Sequence, residues 1–120
     1  MAKILVVEDD LILNEAYKIK LSSTYDLRIA MDGETGLSMV REWRPDMILL
    51  DIYMPGKIDG LEMLRIVKSD PEIADIPVLV LTNLPDVTEK SLSLGAVKCL
   101  MKTEIDLGRL EKEIAEVLKK

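Results

Sequence analysis

Five side chains in this sequence are matched in chemistry: the carboxylates of Glu8, Asp9 and Asp51, the hydroxyl of Thr82 and the ammonium of Lys102. Each stands at or just past the end of a short apolar run. Asp51 follows Met47-Ile48-Leu49-Leu50 and precedes Tyr53-Met54-Pro55-Gly56, where Pro55 and Gly56 force a turn. A carboxylate at the mouth of a buried strand is unfavourable unless something pairs with it. Three carboxylates about 4–6 Å apart repel each other by several kcal/mol per close pair at an effective dielectric of about 20. A hard divalent cation removes that conflict, and two carboxylates, a backbone carbonyl and waters suit Mg²⁺. Lys102 offers a point charge to a phosphoryl oxygen, and Thr82 a hydroxyl donor to another. A carboxylate nucleophile, a metal and two oxyanion donors are the equipment for moving a phosphoryl group onto Asp51.

That chemistry needs strands that all end at one edge. Lys3 to Val7 is a β-branched run that stops at Glu8-Asp9-Asp10. Ile12, Leu13, Ala16 and Ile19 recur at helical spacing and predict a helix to Leu21 with that stripe inward. A weaker run, Leu27 to Met31, ends at Asp32-Gly33. Asp32 then suits an N-cap for a helix burying Gly36, Leu37, Val40 and Trp43, closed by Pro45. Met47 to Leu50 is the third strand. Gly60 opens a helix with Leu61, Leu64 and Val67 inward, and Asp70-Pro71 ends it. Pro77 to Thr82 is a fourth strand. Val87 to Leu94 is only weakly helical, with Ser91 where the stripe wants an apolar residue and Gly95 as C-cap. Lys98 to Met101 is a fifth strand. Leu107, Leu110, Ile114, Val117 and Leu118 mark a last amphipathic helix, with Lys119 and Lys120 at its negative end.

Strand and helix thus alternate with no linker or low-complexity tract. The runs at Ile4, Met47 and Val78 are continuous rather than alternating, the signature of a parallel sheet covered on both faces. Right-handed crossovers give one α/β domain over residues 1–120, a doubly wound (βα)5 fold with sheet order 2-1-3-4-5. In that order the reversal lies between strands one and three, where ligands of open α/β sheets bind, so Glu8, Asp9 and Asp51 fall side by side.

Composition bounds the function classes. A chain of 120 residues with 48% hydrophobic residues fits one core. Cys99 has no partner for an internal disulfide, which fits a reducing compartment. Lys and Arg total 16 against 22 Asp and Glu, a formal charge of −6, which argues against nucleic-acid binding by this chain. The opening apolar run reaches Glu8 too soon for a signal peptide or a membrane span. A soluble, cytoplasmic protein is expected. Each site residue also has a plain structural role open to it. Asp9 or Asp10 can cap the first helix, Asp51 can start a turn, Thr82 can bond to backbone, and Lys102 can be a solvated charge. Met39, Met47, Met54, Met63 and Met101 suit core filling. It is the coincidence of matched groups at consecutive strand ends that favours a site.

The sequence resembles the receiver domains of bacterial two-component response regulators, a flavodoxin-like family. The chemotaxis regulator, a member, is itself a standard example of this strand order. The resemblance covers the whole chain and is carried by Ile4-Leu5-Val6-Val7-Glu8-Asp9-Asp10, Leu49-Leu50-Asp51-Ile52-Tyr53-Met54-Pro55, Asp59-Gly60-Leu61, Val80-Leu81-Thr82, Gly95-Ala96 and Lys102. It implies a phosphoprotein that is not an enzyme on a separate substrate but catalyses its own phosphorylation and dephosphorylation. A histidine kinase or phosphotransfer protein would donate to Asp51. Asp9, Asp51 and the carbonyl of Tyr53 would ligate Mg²⁺, with Glu8 acting through water. Lys102 would hold the phosphoryl group, and Thr82 would swing toward it and bias the face of the fourth helix, fifth strand and fifth helix toward a downstream protein. A monomer or a phosphorylation-dependent dimer is expected, either standing alone or as part of a longer regulator.

Four departures from the family pattern stand out. Cys99 replaces the usual aromatic, and Thr103 replaces the proline whose preceding bond is cis, so a trans bond and a shifted Lys102 are expected. Asn83 replaces a small residue and crowds the approach to Asp51. The turn Gly56-Lys57-Ile58-Asp59-Gly60 is one residue longer than is common. Two rivals follow: a pseudo-receiver that is an interaction module without phosphorylation, and a flavodoxin-like electron carrier. The second is disfavoured because Glu8-Asp9-Asp10 would repel a flavin phosphate.

Overall fold

The computed structural model describes residues 1–83 and 85–119. Five parallel strands, β1 (Lys3–Val7), β2 (Asp26–Ala30), β3 (Met47–Leu50), β4 (Val78–Thr82) and β5 (Lys98–Met101), stand in the order β2-β1-β3-β4-β5. The helices between and after them are α1 (Leu11–Leu21), α2 (Gly33–Trp43), α3 (Gly60–Ser69), α4 (Thr88–Ser93) and α5 (Leu107–Lys119). The expected fold and strand order are the ones observed. Lys120, expected at the end of α5, lies outside the described residues.

The continuous apolar strands are explained by two cores, one on each face of the sheet. Leu5, Val7, Ile48, Leu50, Val78 and Val80 point to one, under α2 and α3; Ile4, Val6, Met47, Leu49, Leu79 and Leu81 point to the other, under α1 and α5. Fully burying each such side chain contributes about 1.5–3 kcal/mol. A one-residue slip of any central strand would exchange its two faces, so register is strongly specified.

Register in turn aligns the strand ends. Val7 pairs with Leu50 and Ala30, and Leu50 with Val80. The ladder runs one residue further: Glu8 N donates to the Ala30 carbonyl and Asp51 N to the Val7 carbonyl, both at 3.0 Å. The two acids are therefore fixed by backbone bonds, side by side at the edge.

Helix α1 corrects its predicted stripe. Ile12 and Ile19 are 83% and 82% exposed, and the buried residues are Asn14, Tyr17 and Leu21. The aliphatic spacing misplaces the phase because two polar-capable side chains face inward. Asn14 does so by donating from Nδ2 to the Glu8 carbonyl at 2.8 Å. Asp10 is the N-cap, accepting from Ile12 N at 2.9 Å and Leu13 N at 3.2 Å. In α2 and α3 the expected stripes hold with smaller changes: Trp43 and Leu61 are half-buried, and Met63 is fully buried.

Candidate functional site

The backbone around Asp51 is set by a close approach that only glycine permits. A Cβ on Gly60 would stand 2.4 Å from the Asp51 carbonyl oxygen and 2.4 Å from Ile52 Cα. Gly60 N donates to the Ile52 carbonyl at 2.9 Å, and Asp59 caps α3 by accepting from Glu62 N at 2.9 Å. The longer turn before it is held by Glu34, whose Oε1 accepts from Ile58 N at 3.2 Å, while Gly56 takes a positive φ of 102°. Asp51 then turns its own loop, with Oδ1 accepting from Tyr53 N at 3.3 Å.

These elements bring together most of the residues singled out in the sequence. Glu8, Asp9, Asp10, Asp51, Tyr53, Asn83 and Lys102 line one cavity of about 360 Å³. Glu8, Asp9 and Asp51 each place a carboxylate oxygen within 4.8 Å of the others. Thr82 is fully buried at the end of β4 and is not among the residues lining that cavity. Asn83, its exposed neighbour, is. Larger depressions border α5; in one of them Arg109, Glu113 and Glu116 are engaged in ion pairs with each other or with Lys98.

Lys102 spans the acids. Its Nζ donates to Glu8 Oε1 at 2.6 Å and lies 3.4 Å from Asp51 Oδ2. The described residues contain no cis peptide bond, so Lys102 and Thr103 are joined in trans as expected. Burial pushes the Glu8 carboxyl up to about 7; the Lys102 hydrogen bond opposes that rise and the charge of Asp51 adds to it. For Lys102, burial acts downward, but the bond to Glu8 and the charge of Asp51 prevail, and its pKa ends above the ordinary lysine value. The lysine stays charged in this pocket. The Glu8–Lys102 pair itself is a relation that the spacing of the sequence did not reveal.

Cys99, where an aromatic was noted as missing, is half-buried with its Sγ 3.8 Å from Thr88 Oγ1. Trp43 sits at the opposite edge, where its carbonyl accepts from Lys3 Nζ at 2.7 Å and Arg28 stacks 4.5 Å from its ring centre.

An acidic strand-end cavity with a half-buried lysine on this sheet order is one observation; likeness to known proteins is the other. The profile of the family described as response regulator receiver domain matches residues 4–115. The chain belongs to that family. This receiver domain is 36% identical over 131 residues to the protein-glutamate methylesterase/protein-glutamine glutaminase 2 of Nitratidesulfovibrio vulgaris, covering 99% of this chain and 34% of that protein. It is 40% identical over 95 residues to the response regulator MprA of Mycobacterium avium, covering 78% of this chain and 40% of that protein. The chain thus spans well under half the length of these relatives. The solved Mn²⁺-bound form of the response regulator Rcp1 superposes with a TM-score of 0.80 at 29% identity, covering 98% of this chain and 91% of that one. Among the described residues, no helix of the receiver domain is long and apolar enough to cross a membrane.

Proposed function

We propose that this receiver domain is the phosphoacceptor of a two-component phosphorelay, with Asp51 the acceptor. The observation that carries it is the setting of that carboxylate: Lys102 Nζ at 3.4 Å, and oxygens of Glu8 and Asp9 within 4.8 Å. The phosphorus–nitrogen bond of a phosphohistidine, or the phosphorus–oxygen bond of a small donor, breaks as a phosphorus–oxygen bond to Asp51 forms. Hydrolysis of that acyl phosphate returns the carboxylate and inorganic phosphate. The domain acts on no separate substrate.

The oxygen-only donor set suits a hard divalent cation, and Mg²⁺ fits it best. Asp9, Asp51 and the Tyr53 carbonyl would hold it, with Glu8 acting through water. When bound, such a cation neutralises the carboxylates and the phosphoryl oxygens. Lys102 then orients the phosphoryl group, Thr82 donates its hydroxyl to another oxygen, and Tyr53 and Asn83 narrow the approach of water. A histidine kinase or phosphotransfer protein supplies the group. Leu11 and Ile12, exposed just beyond Asp9 and Asp10, give that donor an apolar place to seat beside the cavity. The response is a population shift at α4, β5 and α5, read by a downstream protein.

Incubation with acetyl phosphate and Mg²⁺, followed by intact mass spectrometry, tests this. The wild type should gain one phosphoryl group and Asp51→Asn none. Cys99 and Thr103 favour the pseudo-receiver as the second reading, and a wild type that never gains mass would establish it instead.

A further inference from the structure

The loop that leaves Asp51 and enters α3 carries the Tyr53 carbonyl, and its backbone is held by side chains. From Tyr53 to Ile58 no backbone-to-backbone hydrogen bond forms among the described residues. At the near end Asp51 Oδ1 accepts from Tyr53 N at 3.3 Å, and at the far end Glu34 Oε1 accepts from Ile58 N at 3.2 Å. Ile52 and Met54 are buried in the core, but Tyr53, Pro55, Gly56 and Lys57 are exposed. This is also the turn with one residue more than is common, and added length leaves more conformations to be frozen out.

The start of α2 is shaped to receive the far end of that loop. A Cβ on Gly33 would stand 2.5 Å from the Ile58 carbonyl oxygen and 2.9 Å from Ile58 Cγ2, so the glycine lets Ile58 seat against the helix. Glu34 Oε1 also lies 3.2 Å from where a Cβ on Gly56 would be, so one carboxylate stands close to both arms of the turn. Asp9, Glu34, Pro55 and Gly56 line one cavity of about 460 Å³, and Asp9 lines the acidic cavity with Tyr53 as well. Glu34 itself is outside the group of Glu8, Asp9 and Asp51 whose oxygens converge.

We infer that Glu34 is a positioning residue for the metal site: by accepting from Ile58 N it fixes the far end of the loop and with it the direction of the Tyr53 carbonyl. This rests on the phosphoacceptor function proposed above, in which that carbonyl holds the divalent cation with Asp9 and Asp51. Mg²⁺ demands near-octahedral geometry, so a carbonyl that is free to rock binds it more weakly. A carboxylate or a carboxamide oxygen can accept from Ile58 N, whereas a methyl group cannot. The charge of Glu34 attracts a cation as well, through space, and substitution separates the two effects.

Mg²⁺ titrations followed by amide NMR are compared for wild type, Glu34→Ala and Glu34→Gln, together with amide exchange of the metal-free proteins. Glu34→Ala should weaken Mg²⁺ binding about tenfold, the low end for losing an outer partner of a metal ligand. Glu34→Gln keeps the acceptor without the charge and should restore most of that affinity. The Ile58 amide should exchange faster in Glu34→Ala than in the other two proteins. Wild-type Mg²⁺ affinity in Glu34→Ala, an equal loss in Glu34→Gln, or an Ile58 amide that exchanges equally fast in all three overturns the inference while leaving Asp51 as acceptor. A wild type that binds no Mg²⁺ overturns it too, and one that also takes no label from acetyl phosphate overturns both.

Discussion

Helices α3 and α4 flank the two halves of the same sheet edge and are built to different standards. Helix α3 runs for 10 residues, is capped by Asp59, and buries Gly60, Met63, Leu64 and Val67. Lys68 ties its far end to the segment leading into β4, donating to the carbonyls of Ala74 at 2.9 Å and Ile76 at 2.7 Å. Helix α4 has 6 residues, no side-chain cap at Val87, and a single buried residue, Ser91. The Ser91 hydroxyl is buried without a hydrogen-bond partner. The half that holds Asp51 is over-determined, whereas the half beyond Thr82 is held weakly. Elements that move in switching come from the low-stability end of a fold, so chemistry and response are divided between the two halves.

Three substitutions would break or sharpen that contrast. The largest effect is expected from Gly60→Ala, whose methyl meets backbone at 2.4 Å on two atoms. Overpacking of this kind destabilises by about 1–3 kcal/mol, and urea unfolding should show at least that much, with slower labelling of Asp51. An unchanged midpoint would mean the α3 side is less rigid than argued.

The next effect depends on pH. Glu8 titrates near 7 in the folded protein against an ordinary value of 4.5, chiefly through burial. Its folded pKa is the higher one, so the stability it contributes is full below about 4.5 and is lost as pH rises to about 7. In metal-free protein, Glu8→Gln should erase that decline, measured as the difference between wild-type and variant unfolding free energies across the window. Parallel curves for the two proteins would show that Lys102 keeps Glu8 ionised throughout.

The smallest effect belongs to α4. Ser91→Ala removes a buried hydroxyl that has no partner and should stabilise the resting state by about 1 kcal/mol. Amide exchange should slow in α4 while α3 is unaffected. Faster exchange in α4 would mean that the Ser91 hydroxyl supports the helix after all.

Much of this was open to inspection in the linear chain. Continuous apolar runs at Ile4, Met47 and Val78 reported strands buried on both faces, Asp32 and Gly60 marked helix starts, and Ser91 flagged the weak fourth helix. The inner face of α1 was not legible, because Asn14 and Tyr17 displace Ile12 and Ile19 from the core for reasons that lie in other segments. Asn14 turns inward for a carbonyl at the end of β1, and no spacing rule within the helix contains that partner.

By itself, the sequence determined the order of elements and the placing of Glu8, Asp9, Asp51 and Lys102 at strand ends. Apolar runs and their Gly, Pro and Asp punctuation act locally, over a few residues. The tertiary structure alone decided which acid Lys102 binds most closely, since Glu8 lies 94 positions away and competes with Asp51 across the cavity. That choice depends on sheet register and burial acting together, and neither is a property of any single stretch of chain.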